Sequence, residues 1–154
     1  MNDDRPRRKH PTHGVLHVDA QPTIIFDTVC TKDRKPWLAR DDVHALLREI
    51  WDSAAAWLMG RYIIMPDHIH FFAGATESGI EYDRWVTFWK SQFSKRHQSP
   101  DRRWLSGHWD TRIRNAASYE SKWEYVRRNP VRHGLVDDPV KWPFQGTVHE
   151  LRWD

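Results

Sequence analysis

Apolar and polar positions recur along the chain with two different periods, and three segments have the pattern of β-strands. The run 23–31 that follows Pro22 is apolar and β-branched, which predicts a buried strand. Residues 58–65 and 68–75 have the same character and are separated by Pro66-Asp67. They are therefore expected to form an antiparallel pair broken at the proline.

Two further segments show the helical period. The first helix is expected after Asp41 and Asp42, which are candidate N-caps. Its apolar positions are Val43, Leu46, Leu47, Ile50, Trp51, Ala54 and Leu58. The second covers 81–97, and its apolar face carries Trp85, Phe88, Trp89 and Phe93.

A third helix is expected over 118–129, with Ser118 as its candidate N-cap. It should end near Asn129, because the residue before a proline is disfavoured in the α region. Between the second and third helices, residues 104–114 are irregular with some strand character. The resulting order of elements predicts an α+β ferredoxin-like sandwich, an antiparallel sheet faced by helices.

The length of 154 residues suits one compact domain. We assign residues 1–20 to a mobile basic N-terminal arm, 21–145 to the domain and 146–154 to a C-terminal tail. The single Cys30 excludes an internal disulfide and fits a reducing compartment. No apolar run could span a bilayer and the N-terminus resembles no secretory signal, so a cytoplasmic protein without a membrane partner is expected.

Charge and tryptophan content bear on the partner. The net charge is only +3, but the segment from Arg84 to Arg132 holds twelve Lys/Arg against four Asp/Glu, a balance of +8. Such a segment favours a polyanion, although random clustering of charge fits about equally well. Most of the ten tryptophans should pack in the core, while a few exposed ones could stack on unpaired bases.

Two histidines mark a candidate metal site. His68 and His70 are two residues apart on a predicted strand, so their imidazoles project from the same face while Ile69 enters the core. Two imidazoles on one face can bind a divalent metal. Taken alone, the pair fits a structural role as well as a ligand role.

A tyrosine on the third predicted helix is the second candidate. Tyr119, Trp123 and Val126 form the expected core stripe, and Tyr125 points about 200° away from Trp123. Tyr125 shares a face with Asn129, one turn further on. The residues alone leave open whether Tyr125 packs against a loop or has a chemical role.

The two signals together resemble the signature blocks of a known family. The runs Met65-Pro-Asp-His-Ile-His-Phe-Phe72 and Tyr125-Val-Arg-Arg-Asn-Pro-Val-Arg-His-Gly-Leu-Val136 are similar to those of the REP-associated tyrosine transposases. These belong to the single-tyrosine HUH transposase superfamily. The resemblance extends roughly over residues 14–145.

The resemblance implies a role for each matched residue. His68, His70 and Asn129 would bind a catalytic metal, Mg²⁺ or Mn²⁺, and Tyr125 would be the nucleophile. The implied activity is cleavage and rejoining of single-stranded or hairpin DNA through a 5′-phosphotyrosine, by a monomer or a homodimer. His133 and Asp67 match variable family positions and receive no catalytic role.

Basic residues are the candidate DNA contacts. Arg127, Arg128 and Arg132 flank the tyrosine, and a second candidate group consists of Lys95, Arg96, Arg102 and Arg103. His108 and Asp110 are further metal or substrate candidates, although local hydrogen bonding is the commoner use of such residues. Two alternatives are a zinc hydrolase, for which 154 residues supply too small a barrel, and a non-catalytic nucleic-acid-binding module of the same fold.

Overall fold

The computed structural model describes residues 17–18 and 21–152. The strands are β1 His17–Val18, β2 Gln21–Pro22, β3 Ile24–Cys30, β4 Trp57–Ile64, β5 His68–Ala75, β6 Trp109–Ile113 and β7 Gln145–Thr147. The α-helices are α1 Asp41–Ser53, α2 Tyr82–His97, α3 Ala116–Val126 and the single turn α4 Asn129–Arg132. Most of the predicted basic arm lies outside the described residues.

A five-stranded antiparallel sheet forms the centre of the fold, in the order β6-β3-β5-β4-β7. β1 and β2 form a separate two-stranded pair. The predicted antiparallel pairing of β4 with β5 is confirmed, and the strand-like segment around 104–114 contains the edge strand β6. The predicted α+β sandwich is therefore confirmed.

Each face of the sheet buries its own hydrophobic core. On one face α1 and α2 cover a large aromatic core that includes Trp51, Trp85 and Trp89, all almost completely buried. Burying one such side chain removes about 150–250 Å² from water, which stabilises the fold by roughly 4–6 kcal/mol at 25 cal/mol per Å². On the other face α3 covers a smaller core that includes Phe72 and Tyr119.

The first two helices each differ from the prediction at one apolar position, although α2 has the predicted extent to within one residue. α1 ends at Ser53, and Leu58 belongs to β4, so the expected continuation of the helical stripe through that residue is wrong. The backbone N–H of Ala54 still bonds to Ile50, but the chain then leaves the helical conformation. On α2, Phe88 is 50% exposed instead of buried, because the core contacts only the other aromatic positions of the helix.

The third helix begins and ends earlier than predicted. Asn115 is the N-cap, and its side chain accepts a hydrogen bond from the backbone N–H of Ser118, so Ser118 lies inside the first turn. The helix ends at Val126, and Asn129 opens the separate turn α4. Pro130 has no N–H to donate to the carbonyl of Val126, whereas it fits the first turn of a new helix.

The C-terminal segment packs against the domain. The predicted boundary at residue 145 falls inside β7, whose Gly146 and Thr147 pair with β4. Leu151 packs against the smaller core. No helix in the described part of the chain is long and apolar enough to cross a membrane.

Candidate active site

The two histidines of β5 lie on the face of the sheet that α3 covers. Ile69 enters the aromatic core on the opposite face, while His68 and His70 share the face of Phe72. The two imidazole ring centres are 4.7 Å apart, and the ring planes are inclined by 74°. The alternation of β5 therefore brings the rings close together at one end of the sheet.

Asp67 holds the ring of His68. The Nδ1 of His68 donates to Asp67 Oδ1 at 2.7 Å, and Arg34 Nε donates to Asp67 Oδ2 at 2.9 Å. Arg34 adopts a left-handed backbone with φ of +55°, which is a strained conformation for a residue with a side chain. This turn places the guanidinium against the carboxylate that orients the histidine.

Thr28 holds the second ring in the same way. On the neighbouring strand β3, Thr28 pairs directly with His70, and Thr28 Oγ1 is hydrogen-bonded to His70 Nδ1 at 2.8 Å. Phe26 stacks on His70 with the ring centres 5.5 Å apart. With Nδ1 engaged in both rings, Nε2 is the nitrogen that each histidine can offer to a metal, an arrangement typical of metal-binding histidines.

Both histidines are held in the neutral form that metal binding requires. Burial lowers the pKa of His68, and the hydrogen bond to Asp67 offsets this only in part. Burial, followed by the neighbouring His68 and the positive charges of Lys122 and Arg132, lowers the pKa of His70 to about 3. Near pH 7 both rings therefore carry a lone pair and no net charge.

Tyr125 is exposed on the outer side of α3. Tyr119 and Val126 are buried and Trp123 is half-buried, whereas Tyr125 is 63% exposed. The helix crosses the histidine end of the sheet, because Lys122, one turn before Tyr125, places its ammonium 5.1 Å from the ring centre of Phe26. The predicted core stripe of this helix is thus present, and Tyr125 lies off it.

Arg132 links the tyrosine to Asn129. Its guanidinium lies 4.0 Å from the ring centre of Tyr125 and donates to the Tyr125 carbonyl oxygen at 2.7 Å. The same guanidinium donates to Oδ1 of Asn129, a side chain that is 8% exposed. The amide oxygen that was predicted as a metal ligand therefore accepts a hydrogen bond from an arginine in this structure.

The remaining predicted DNA contacts divide between the two faces of the sheet. Arg127 and Arg128 both bind Glu124 on α3, through Nε to carboxylate distances of 2.7 and 3.0 Å. The second group belongs to the opposite layer, at the end of α2 and in the loop that follows it, and comprises Lys95, Arg96, Arg102 and Arg103. The structure does not bring this group together with the tyrosine.

A second group of possible ligands lies on the α2 side of the sheet. Ligand atoms of Asp83, His108 and Asp110 lie within 4.8 Å of one another. His108 is 2.9 Å from a carboxylate oxygen of Asp83 and 2.9 Å from one of the fully buried Asp27. Burial opposes charge on His108, but the hydrogen bond to Asp27 and the other carboxylates raise its pKa. A proton competes with a metal for an imidazole nitrogen, so the raised pKa of His108 makes the pair His68 and His70 the better candidate.

Sequence reasoning gave no role to three residues that contact this site. No sequence motif marks Thr28 or Lys122, and Asp67 matches a variable family position. An acid directly before a His-x-His strand is a local signal that could have been used. Thr28 lies 42 residues from His70 and carries no comparable local signal.

The fold is shared with a solved transposase. The structure of a REP-associated tyrosine transposase bound to a REP hairpin superposes with a TM-score of 0.71 at 22% identity, covering 92% of this chain and 81% of that one. The sheet and its helical layers thus have the architecture of a class of DNA-processing enzymes. No family model matches the sequence.

Sequence relatives define the family. The chain is 31% identical over 130 residues to the REP-associated tyrosine transposase of Escherichia coli K12, covering 80% of this chain and 75% of that protein. It is 27% identical over 102 residues to a Haemophilus influenzae protein provisionally given the same name, of which it spans 58%. The chain belongs to the REP-associated tyrosine transposases.

Proposed function

We propose that this transposase is a metal-dependent endonuclease and strand transferase that uses Tyr125 as its nucleophile. The observation that supports this most directly is the pair His68 and His70, whose Nδ1 atoms are engaged by Asp67 and Thr28 beneath the helix of Tyr125. Oriented, neutral imidazoles on the sheet face that carries the helix of an exposed phenol are suited to phosphoryl transfer and not to core packing.

The available donor atoms fit a divalent ion. His68 and His70 would each supply Nε2, and Asn129 would supply its amide oxygen if the hydrogen bond from Arg132 were given up. Mg²⁺ prefers oxygen ligands, and two imidazoles also suit Mn²⁺. Such an ion, when bound, would polarise a phosphoryl oxygen and neutralise part of its charge.

The residues of this chain define the covalent step. The Tyr125 oxygen attacks the scissile phosphorus and loses its proton to solvent, forming a Tyr–O–P bond as the P–O3′ bond breaks. The leaving 3′ oxygen takes up a proton and becomes a free 3′-OH, and the DNA remains attached as a 5′-phosphotyrosine. Because the phosphodiester bond energy is retained, attack by a 3′-OH on the same bond rejoins DNA without ATP.

Positive groups surround the place where the phosphate would bind. Lys122 and Arg132 both act electrostatically on His70, and Arg34 acts on His68. Cations at these positions attract the backbone of a nucleic acid and balance the charge that develops on the phosphate. These cations would therefore position the strand, while the tyrosine performs the chemistry.

We infer that the substrate is single-stranded or hairpin DNA. The structural relative described above is bound to a REP hairpin, and the exposed Tyr125 lies on a helix above one face of the sheet. A strand must pass between that helix and the histidines to present its phosphate for in-line attack. A paired complementary strand would obstruct that path.

The test is formation of a covalent adduct. The protein is incubated with Mn²⁺ and an end-labelled hairpin carrying single-stranded flanks, then denatured and resolved by electrophoresis. The wild-type chain and Tyr119→Phe, a matched control on the same helix, should both form the adduct. Tyr125→Phe should form none while its DNA affinity stays within a few fold, because it lacks only the attacking oxygen.

The outcomes separate the alternatives. An adduct formed by Tyr125→Phe would assign the nucleophile to another residue. DNA binding with no adduct from the wild-type chain, across Mn²⁺ and Mg²⁺ concentrations, would favour a non-catalytic nucleic-acid-binding module.

A further inference from the structure

Trp109 is far more exposed than the other tryptophans in the described part of the chain. Nine of the ten tryptophans lie in the described residues; six of these are buried and two, Trp104 and Trp123, are half-buried. Trp109 is 60% exposed. An indole gains several kcal/mol from burial, so an exposed one on a strand next to a candidate active site calls for a ligand-based explanation.

The strand register places Trp109 in the same row as the candidate metal site. Thr28 of β3 pairs with His70 on one side and with Trp109 on the other. Directly opposed residues of an antiparallel sheet project from the same face. Ile113, four residues further along β6, lies in the core beneath α3, which is consistent with that face. The row His70, Thr28, Trp109 therefore runs from the centre of the sheet to its edge.

The spacing of this row suits a DNA strand. Neighbouring strands are about 4.8 Å apart, so His70 and Trp109 are separated by about 10 Å across the sheet. Stacked nucleotides advance by about 3.4 Å each, so about three of them span the distance from His70 to Trp109. An extended strand spans it with fewer nucleotides. A strand whose phosphate lies at the histidines would carry a base one to three nucleotides away over the indole.

We propose that Trp109 is a stacking platform for one unpaired base of the substrate strand, close to the scissile phosphate. The proposal rests on the function proposed above and extends it by a specific DNA contact. Lys122 and Arg132 lie near the other end of the row and favour a polyanion as the occupant of this face. Aromatic stacking accepts any base, so the contact supplies affinity for single strands with little sequence preference.

The test measures equilibrium binding without chemistry. Trp109→Ala, Trp109→Phe and the control Phe88→Ala are made in the Tyr125→Phe chain, and binding to a fluorescent hairpin with single-stranded flanks is titrated in EDTA. Phe88 is 50% exposed but belongs to α2, on the opposite layer. Trp109→Ala should bind about five- to hundredfold more weakly, Trp109→Phe should recover most of the loss and Phe88→Ala should bind normally.

A second measurement identifies the base. Abasic sites are placed one at a time along the single-stranded flank, and each oligonucleotide is titrated with both chains. One abasic position should weaken binding by the Trp109-containing chain and leave binding by Trp109→Ala unchanged, because the same contact has already been lost. The affinity for a blunt duplex should not depend on residue 109.

Three results would overturn the proposal: equal binding by Trp109→Ala and Phe88→Ala, additive losses at every abasic position, or a change in oligomeric state on sedimentation that places a second copy of the chain on the indole. These outcomes are distinct from failure of the proposed function. That failure would appear as the absence of a covalent adduct from the wild-type chain, whatever residue 109 contributes to binding.

Discussion

Replacement of Thr28 by valine tests whether the sheet orients His70 for metal binding. Valine keeps the size and β-branching of threonine, so the strand and the packing of Phe26 should persist. The change removes the 2.8 Å hydrogen bond between Thr28 Oγ1 and His70 Nδ1. This hydrogen bond fixes the orientation of the ring. It also determines which ring nitrogen carries the proton, so both are lost with the hydroxyl.

Two effects of different size follow. Leaving a buried imidazole N–H without a partner costs about 1–3 kcal/mol of folding free energy, and each kcal/mol lowers Tm by about 2–4 °C in a domain of this size. Loss of a hydrogen bond that orients a metal ligand typically weakens metal affinity about 10- to 100-fold, or about 1.4–2.7 kcal/mol. The chain should remain folded at 20 °C and bind Mn²⁺ more weakly.

The assay is calorimetric titration with Mn²⁺ at 20 °C, paired with thermal melting of each variant. Thr28→Ser keeps a hydroxyl and should restore most of the metal affinity. Thr111→Val is the matched control, because it removes a hydroxyl from an exposed position of β6 on the same face. Equal Mn²⁺ affinities for Thr28→Val and Thr111→Val would refute the role assigned to Thr28.

Two further predictions concern Asn129 and His108. Asn129→Ala should weaken Mn²⁺ binding and slow nicking, with partial rescue at high Mn²⁺. Asn129→Asp should keep metal binding but change the metal preference. An unaltered Mn²⁺ affinity in the alanine variant would exclude Asn129 as a ligand. The raised pKa of His108 means that the folded chain holds its proton more tightly than the unfolded chain. The stability that His108 adds over His108→Gln should be greatest below about pH 6.5 and decline as pH rises through the folded pKa. Urea unfolding between pH 5.5 and 9 measures this, and a pH-independent difference would contradict it.

Local periodicity determined the layers of the fold and part of the candidate site. The alternation of apolar positions along 68–75 placed His68 and His70 on one face, because successive side chains of a strand point to opposite sides. The helical period of α3 separated the buried Tyr119 from the exposed Tyr125. These features depend only on backbone geometry, which a single segment specifies by itself.

The local sequence pattern predicts the ends of the helices less accurately. The conformational restriction on the residue before Pro130 predicts a third helix that ends at Asn129. The missing N–H of the proline interrupts the hydrogen-bond ladder one turn earlier, at Val126. Asn129 therefore opens α4, and its side chain meets Arg132 of the same turn.

Only the tertiary structure decided which residues surround the histidines. Strand pairing sets Thr28 beside His70 and Trp109 beside Thr28, across separations of 42 and 81 positions that no local period encodes. The same folding places Lys95, Arg96, Arg102 and Arg103 in the layer opposite α3, although their charges alone made them equal candidates with Arg127, Arg128 and Arg132. The sequence indicates from which face of its own helix or strand a side chain projects. Which other residues surround that side chain depends on strand register and on the side of the sheet against which each helix packs.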